Sequence, residues 1–354
     1  MVEQVIIIGA GQAGLSTAYY LKRKGFDPLI LDANAHFGGS WQHAWDSLKL
    51  FSPKAYSSLS GYMMPNTKEA YPSKAEMVDY LGKYEQRYQF RVKRPVSVLN
   101  VHFSDNIYTL ETDQGTFKTQ YLVSATGNFS GEISPQFSGL SAFKGKQLHS
   151  SEYTNNEFLK GLNVAIIGSG NSGSQVLAEV SQVANTFWFT NRPLEYLADE
   201  LDGRYLFELS TKRYYATLKG EEIDNTDDFS KIVMVDSVKD ARSRDVLVKQ
   251  EDIKYFTENA IVTANHTLPI DVVIWCTGFK TQLNHLSGLN LNLDVNQLSD
   301  DSHSNDYKSL WFVGYGEWSG FASATIIGVQ KHAKKVAEQI TELANTQINE
   351  LTEI

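Results

Sequence analysis

Short apolar runs alternate with glycine-rich turns along this chain, a pattern that predicts strands connected through tight turns to helices. The apolar run 5–8 predicts a buried strand, and the turn 9–14 follows it directly. A helix that ends near Gly25 and a strand over 29–32 complete a βαβ unit. The N-terminal part of the sequence therefore predicts a Rossmann-like α/β domain.

The same pattern returns 159 residues later. Residues 164–167 predict a strand, 168–173 a second glycine turn, and 186–190 the next strand. A chain of 354 residues is long enough for two buried cores. We therefore predict an α/β fold with two dinucleotide-binding (Rossmann-like) domains.

Two apolar strands that end in Thr-Gly flank the second unit, over 121–127 and 271–278. We interpret both as chain crossings between domains, because a small Thr-Gly corner lets the backbone pass close to a nucleotide. A strand over 310–314 and a helix from about Ala324 to the end are predicted to return to the first domain. The predicted domains are residues 1–153 with 281–354, and an inserted domain of residues 154–280.

Composition and charge narrow the functional classes. The chain is 42% hydrophobic and 21% charged, as in globular enzymes, and its formal net charge of -9 argues against general binding of nucleic acid or anionic membranes. The single cysteine, Cys276, excludes an intrachain disulfide and a cysteine-pair relay, and scattered histidines predict no metal site. The start of the chain lacks a basic leader, and no apolar run reaches about 18 residues, so a cytoplasmic location is expected.

Each glycine turn has the residues that a dinucleotide pyrophosphate requires. The first glycine makes the turn, the second lets backbone N–H groups approach the phosphates, and the third permits close helix packing. The helix N-terminus adds the positive end of its dipole. The candidate binding residues in the two turns are Gly9, Gly11, Gln12, Ala13 and Gly14 in the first, and Gly168, Gly170, Asn171, Ser172 and Gly173 in the second.

The residue that closes the second strand of each unit distinguishes the two sites. Asp32 lies 18 positions after Gly14, where a carboxylate accepts a hydrogen bond from a ribose 2′-hydroxyl and repels a 2′-phosphate. The same offset in the second unit falls on Asn191, followed by Arg192, whose guanidinium suits a 2′-phosphate. We predict FAD in the first domain and NADPH, with NADH as a further substrate, in the second. The alternative is that Arg192 forms an ordinary surface ion pair with Glu195 or Asp199.

These residues resemble the class B flavin-containing monooxygenases, particularly their small bacterial members. Residues 143–153 match the family pattern FxGxxxHxxxY, and Tyr153 favours the branch that oxygenates heteroatoms. The resemblance covers nearly the whole chain and implies a helix whose N-terminus, near Ala324, faces the flavin ring. Further cofactor-binding residues that it implies are Ala33, Gly39, Ser40, Trp41, Thr126, Gly127, Thr277, Gly278, Ala324 and Thr325.

The chain departs from this family at two positions. Thr154 follows Tyr153 where relatives have Lys or Arg, and Phe51 precedes Ser52-Pro53-Lys54 where many relatives have Asn. Phe51 is the candidate catalytic position, because it cannot supply the amide that contacts nicotinamide and oxygenated flavin. The departure predicts that part of the NAD(P)H consumed yields peroxide.

The resemblance implies that nicotinamide transfers a hydride to the flavin and that dioxygen then adds at the C4a carbon of the flavin. The resulting hydroperoxide would oxygenate sulfides and amines, with ketones as a further possible substrate class. Such chemistry belongs to the cofactor, so no protein nucleophile is required. Two alternatives remain: an NAD(P)H oxidase or flavin reductase that releases hydrogen peroxide, and a non-catalytic nucleotide-binding redox sensor. The expected partners are a small-molecule substrate and dioxygen. The apolar-rich region 194–215 suggests a homodimer.

Overall fold

The computed structural model describes residues 1–221, 228–292, 298–299, 302–320 and 322–352. The strands are β1 (Val2–Ile8), β2 (Leu29–Leu31), β3 (Arg91–Lys93), β4 (Val98–Ser104), β5 (Ile107–Thr112), β6 (Gly115–Ser124), β7 (Lys146–His149), β8 (Asn163–Ile167), β9 (Asn185–Phe189), β10 (Tyr255–Phe256), β11 (Ala260–Val262), β12 (Thr267–Pro269), β13 (Val272–Trp275), β14 (Leu298–Ser299), β15 (His303–Ser304) and β16 (Leu310–Phe312). The helices are α1 (Gln12–Arg23), α2 (Lys74–Tyr88), α3 (Asn171–Val180), α4 (Gly203–Lys219), α5 (Asp236–Ser243) and α6 (Val329–Thr352).

The chain forms two compact units. Unit 1 comprises residues 1–42, 53–128 and 281–354, and unit 2 comprises 43–52 and 129–280. The predicted α/β architecture with two Rossmann-like folds is confirmed. Unit 2 starts earlier in the chain than the expected residue 154, because β7 pairs in parallel with β13 inside the second sheet.

Unit 1 is built on a sheet whose strands run in the order β14-β15-β16-β6-β1-β2-β3. Its centre is parallel, and β4 and β5 add an antiparallel extension beside β6. Ile6 and Ile7 of β1 are fully buried, as expected for a parallel strand with both faces covered. Because α1 follows β1 directly, this sheet places the first glycine turn at the carboxyl end of its central strand.

Unit 2 repeats this arrangement with a smaller parallel sheet in the order β7-β13-β8-β9. Helix α3 follows β8 through the second glycine turn, and a small antiparallel sheet contains β10, β11 and β12. Trp188 of β9 is nearly fully buried, and its indole N–H donates to the carbonyl of Gly168 at 2.8 Å. A core side chain of the sheet therefore helps to fix the start of the second turn.

The last helix begins later than the sequence predicts. It starts at Val329 rather than near Ala324, so the expected helix N-terminus at Ala324 is wrong. The reason is local, because Gly320 and Ala322 have φ values of 106° and 58°, outside the right-handed helical region. The Ala322 carbonyl accepts a hydrogen bond from the Thr325 N–H, which closes a turn at this position. Among the described residues, no helix is long and apolar enough to span a membrane.

Candidate functional site

In the first glycine turn, a Cβ atom would clash with the backbone at two of the three glycines and would fit at the third. A Cβ atom on Gly9 would lie 2.6 Å from the Ala125 carbonyl oxygen, and one on Gly14 would lie 1.9 Å from the Gly9 carbonyl oxygen. At Gly11 the nearest atom would be the Cα of Gly39, at an ordinary 3.7 Å. Gly9 also has a φ of 103°, which favours glycine. The geometry assigns the tight turn and the helix contact to the outer glycines, and a Cβ at Gly11 would make only an ordinary contact with Gly39.

The N-terminus of α1 suits an anion. Gly11 is the N-cap residue, no side chain caps the helix, and no acidic residue lies in its first turn. The first N–H groups of a helix lack intrahelical partners and carry the positive end of the helix dipole. With the space beside Gly11, these groups fit the pyrophosphate of a dinucleotide.

Asp32 lies one residue after β2, with only 4% of its side chain exposed. Its Oδ1 accepts from the backbone N–H and the side-chain amide of Asn34, at 3.3 and 3.1 Å. Its Oδ2 accepts from Nε of Arg94 at 3.2 Å. The adjacent residue, Ala33, is exposed. The predicted ribose acid is therefore held in place by protein donors.

Gln12 connects three segments of unit 1. Its side-chain oxygen accepts from the indole N–H of Trp41 at 3.0 Å, and its side-chain nitrogen donates to the Ala324 carbonyl at 2.6 Å. Trp41 lies in a short 3-10 turn that begins at Gly39. Gly39 has a φ of 55°, and a Cβ there would lie 2.6 Å from Cα of Gly11. The segments of Gln12, Trp41 and Ala324 are thus brought together although they are far apart in sequence.

The other predicted cofactor residues of unit 1 lie in separate local environments. Ala13 contacts Gly314, where an added Cβ would lie 2.6 Å from that of Ala13. Ser40 is exposed, and Thr325 donates its hydroxyl to the Ala322 carbonyl at 2.8 Å. Gly127 has a φ of 68° at the end of the first Thr-Gly corner.

A buried polar network supports that corner, and sequence reasoning missed it. The Tyr315 hydroxyl lies 2.8 Å from the Thr126 hydroxyl and 2.5 Å from that of Ser124. The Ser124 hydroxyl lies 2.8 Å from Nε2 of His285. Burial lowers the pKa of His285 from 6.5 to about 4, so the imidazole is neutral near pH 7. No spacing in the sequence relates these residues, because they come from separate strands and turns.

The second glycine turn repeats the geometry of the first. A Cβ on Gly168 would lie 2.1 Å from the Cys276 carbonyl oxygen, and one on Gly173 would lie 2.4 Å from the Gly168 carbonyl oxygen. Gly170 would meet no atom within 4 Å. Gly170 is also the N-cap of α3, which has no side-chain cap and no acid in its first turn. Unit 2 therefore contains a second cradle that fits a pyrophosphate.

The side chains of Asn171, Asn191 and Arg192 lie near this turn. Asn171 accepts from the backbone N–H of Val233 at 2.8 Å, and Ser172, the next residue of α3, is half-buried. Arg192 donates from Nε to the Ser169 hydroxyl at 3.0 Å and from Nη2 to the Ser230 carbonyl at 2.8 Å. The Ser169 hydroxyl in turn donates to the side-chain oxygen of Asn191 at 3.2 Å.

The alternative surface ion pair for Arg192 is not formed with Asp199. The Asp199 carboxylate instead accepts hydrogen bonds from Nη1 and Nη2 of Arg242, at 2.9 and 2.5 Å. In the part of the chain that the structure describes, Arg192 has no carboxylate within salt-bridge distance. Its guanidinium is held by neutral oxygens, which leaves its positive charge available to an anion.

The second Thr-Gly corner is held by the family motif. Thr277 donates its hydroxyl to the Ile133 carbonyl, and Gly278 has a φ of 80°. Nε2 of His149 lies 3.2 Å from the Gly278 carbonyl, which can only accept, so this nitrogen carries the hydrogen. Burial lowers the pKa of His149, which favours this neutral imidazole. The motif histidine, His149, thus holds the backbone at Gly278 through this hydrogen bond within unit 2.

Phe51 packs on a glycine of unit 2. Its carbonyl accepts from the N–H of Gly203 at 2.7 Å, and a Cβ on Gly203 would lie 2.5 Å from the Phe51 ring. Phe51 is 38% exposed, so part of the ring faces solvent. The position offers an apolar surface and no side-chain hydrogen-bond donor.

Two βαβ units whose glycine turns each fit a pyrophosphate are typical of a two-dinucleotide flavoprotein oxidoreductase. Residues 6–314 match the family model described as pyridine nucleotide-disulphide oxidoreductase, and the chain belongs to this family. The chain has a single cysteine, which is buried, and it therefore lacks the cysteine pair that a disulfide relay requires.

Three similar proteins indicate the kind of oxidoreductase to which the chain belongs. The chain is similar to the flavin-containing monooxygenase from Stenotrophomonas maltophilia, with 40% identity, 97% of this chain and 100% of that chain covered, and a TM-score of 0.87. It is 31% identical to the uncharacterized oxidoreductase CzcO of Bacillus subtilis, over 95% of this chain and 98% of that protein. It is 25% identical to the probable indole-3-pyruvate monooxygenase YUCCA3 of Arabidopsis thaliana, over 95% of this chain and 86% of that protein. The chain is a flavin-dependent monooxygenase of the class B type, and it uses flavin with a nicotinamide cofactor.

Proposed function

We propose that the chain binds FAD in unit 1 and NADPH in unit 2, with NADH as a weaker alternative, and transfers one oxygen atom of dioxygen to a small soft nucleophile such as a sulfide or an amine. One observation carries the proposal. In both glycine turns a Cβ on the first or third glycine would clash with the backbone, whereas a Cβ on the second would fit: on Gly11 it would meet Cα of Gly39 at 3.7 Å, and on Gly170 it would meet no atom within 4 Å. This is the arrangement that a bound pyrophosphate requires.

In unit 1, the N–H groups at the start of α1 would bind the FAD pyrophosphate, and Asp32 would accept the adenosine ribose. Gln12 would orient the flavin end of the site, because it ties Trp41 and Ala324 to the glycine turn. When bound, the flavin supplies the chemistry: it accepts a hydride and activates dioxygen at its C4a carbon. The protein side chains bind, orient and exclude water.

In unit 2, the turn at Gly170 would bind the NADPH pyrophosphate and Arg192 the 2′-phosphate. Arg192 is already oriented by Ser169 and Ser230, and no carboxylate of the described residues pairs with it. Thr277 and Gly278 form the corner at the carboxyl end of β13, beside the first glycine of the same turn. Asn191 contributes an amide where NADPH-specific sites often place a second cation, which supports partial use of NADH.

A second candidate, an NAD(P)H oxidase that releases hydrogen peroxide, is favoured by Phe51. The exposed part of this ring has no amide to donate where many relatives have asparagine. Without that donor, the retention of nicotinamide beside the flavin is weaker, and water enters more easily. We therefore expect oxygenation accompanied by a measurable fraction of peroxide.

Anaerobic reduction tests the two-site assignment. Protein loaded with FAD should lose its absorbance near 450 nm on addition of NADPH. Gly170→Val should retain FAD but lose this bleaching, because a side chain there fills the space meant for phosphate and meets no protein atom. Full-rate bleaching in this variant, at the wild-type NADPH concentration dependence, would contradict NADPH binding at the second turn.

A further inference from the structure

A buried ionic chain connects α2 to the end of β2 in unit 1. Its members are Glu85, Arg94 and Asp32, whose side chains are 17%, 14% and 4% exposed. Nη1 and Nη2 of Arg94 donate to the two carboxylate oxygens of Glu85, each at 2.8 Å. Nε of Arg94 donates to Oδ2 of Asp32 at 3.2 Å. Because bidentate pairing fixes the plane of a guanidinium, Glu85 also fixes the direction of the Nε–H group.

The Asp32 carboxylate has room for one more donor. An ionised carboxylate has about four acceptor positions. Asn34 fills two at Oδ1, and Arg94 fills one at Oδ2. Counting the contacts made by the residues that the structure describes, the remaining position is on Oδ2, the oxygen to which Arg94 donates. A ribose hydroxyl that donates to Asp32 must meet an oxygen whose orientation is set by Arg94.

The backbone supports the same arrangement. The Asp32 N–H donates to the Lys93 carbonyl at 3.0 Å, and the Val96 N–H donates to the Asp32 carbonyl at 2.8 Å. The segment 93–96 thus brackets Asp32 on both sides, with Arg94 between the two contacts. From this hydrogen-bonded segment the side chain of Arg94 reaches the carboxylate.

The Arg94 guanidinium is stabilised in its charged, protonated form. Burial acts against its charged form, but the contacts with Glu85 and Asp32 outweigh burial and raise its pKa. Arg94 therefore stays charged beside Asp32 near neutral pH. Removing that cation would leave a buried carboxylate without its charged partner.

We propose that Arg94 is a positioning residue for recognition of the adenosine ribose: it orients Asp32 so that the one free acceptor position on Oδ2 meets the 2′-hydroxyl. The inference rests on the proposed binding of FAD in unit 1. It deepens that proposal, because discrimination of the ribose then depends on Arg94 as well, a residue 62 positions after Asp32 that acts through the Asp32 carboxylate.

The test compares binding of FAD with binding of an FAD analogue whose adenosine lacks the 2′-hydroxyl, measured by flavin fluorescence on the full-length protein freed of flavin. A hydrogen bond to a charged group is worth about tenfold or more in affinity, so the wild type should prefer FAD by about that ratio. Asp32→Asn and Arg94→Met should each lower the ratio to within about twofold of one. The double variant should lower it no further, because both changes remove the same contact. Arg94→Lys, which keeps the charge but cannot form both contacts, should give an intermediate ratio.

Arg91→Met is the matched control. Arg91 lies on β3 and pairs with both oxygens of Glu3 at 3.0 Å, but it does not contact Asp32. This variant should keep the wild-type preference. If Arg94→Met or Arg94→Lys folds, as judged by thermal unfolding, and discriminates between the two flavins as well as the wild type does, the inference is wrong. A wild type that binds neither flavin would overturn the proposed function itself, so the two failures are distinguishable.

Discussion

Arg192 Nε donates a hydrogen bond to the hydroxyl of Ser169, which lies between the first two glycines of the second turn. The turn proposed to bind the NADPH pyrophosphate and the cation proposed to select NADPH are therefore in direct contact. Arg192→Ala should lower kcat/KM for NADPH about tenfold and leave that for NADH nearly unchanged. The estimate is at the lower end of a charge-assisted contact because the site is exposed.

The control for this variant is Arg244→Ala. Arg244 also donates to a serine hydroxyl and a backbone carbonyl, those of Ser181 and Ala178. It should not change the ratio of the two cofactors. Raised salt should reduce the wild-type preference in the same direction as Arg192→Ala. Equal ratios in wild type, Arg192→Ala and Arg192→Glu would show that the phosphate is recognised elsewhere.

Gly11 and Gly14 should respond oppositely to substitution. Gly11→Val should give a folded protein with little FAD, because its new Cβ meets only Gly39 at 3.7 Å while the side chain fills the phosphate space. Gly14→Val should fail to fold, because its Cβ would lie 1.9 Å from the Gly9 carbonyl oxygen. FAD content and thermal unfolding of the flavin-free protein measure the two effects. Normal FAD content in Gly11→Val would remove the basis for FAD at this turn.

Phe51→Asn should lower the fraction of NADPH electrons recovered as hydrogen peroxide, about twofold or more, if the restored amide contacts the cofactors as it does in relatives. Phe37→Asn is the matched control, since Phe37 is also 38% exposed and also packs its ring on a glycine, Gly82. Peroxide and product are counted in the same reactions. Unchanged peroxide in Phe51→Asn would indicate that Phe51 serves only to pack on Gly203.

His285 should make the flavin-free protein less stable in mild acid. Its pKa in the folded state, about 4, lies below the ordinary 6.5, so the unfolded chain binds the proton more tightly. The stabilisation is complete above about pH 6.5 and is lost as the pH falls towards 4. Between pH 7 and 5 the wild type should lose ~1–2 kcal/mol relative to His285→Gln in urea unfolding. His36→Gln, which changes an exposed histidine, should follow the wild type.

The sequence predicts those parts of the fold and site that depend on local spacing. The two glycine turns and Asp32 follow from periodicity and a fixed offset within one βαβ unit, because strand, turn and helix are contiguous there. The start of α6 was misplaced because the φ values at Gly320 and Ala322 depend on the local fold. Hydrophobic periodicity does not report such turns.

Contacts between distant segments could not be predicted from one sequence. Arg94 reaches Asp32 because β3 pairs with β2, and Tyr315 meets Ser124 because β16 pairs with β6. The contact between Phe51 and Gly203 likewise joins segments about 150 positions apart. The first two pairs are set by sheet order and the third by packing of a loop on the start of α4, none of which a spacing rule in the sequence encodes.

Isotope transfer from dioxygen tests the central claim most directly. Protein with bound FAD is supplied with NADPH, an aryl methyl sulfide and ¹⁸O₂, and the sulfoxide is examined by mass spectrometry while NADPH and peroxide are counted. The account predicts one ¹⁸O atom in each sulfoxide molecule, with sulfoxide and peroxide together equal to the NADPH consumed. Unlabelled sulfoxide, or NADPH consumption recovered entirely as peroxide, would contradict it.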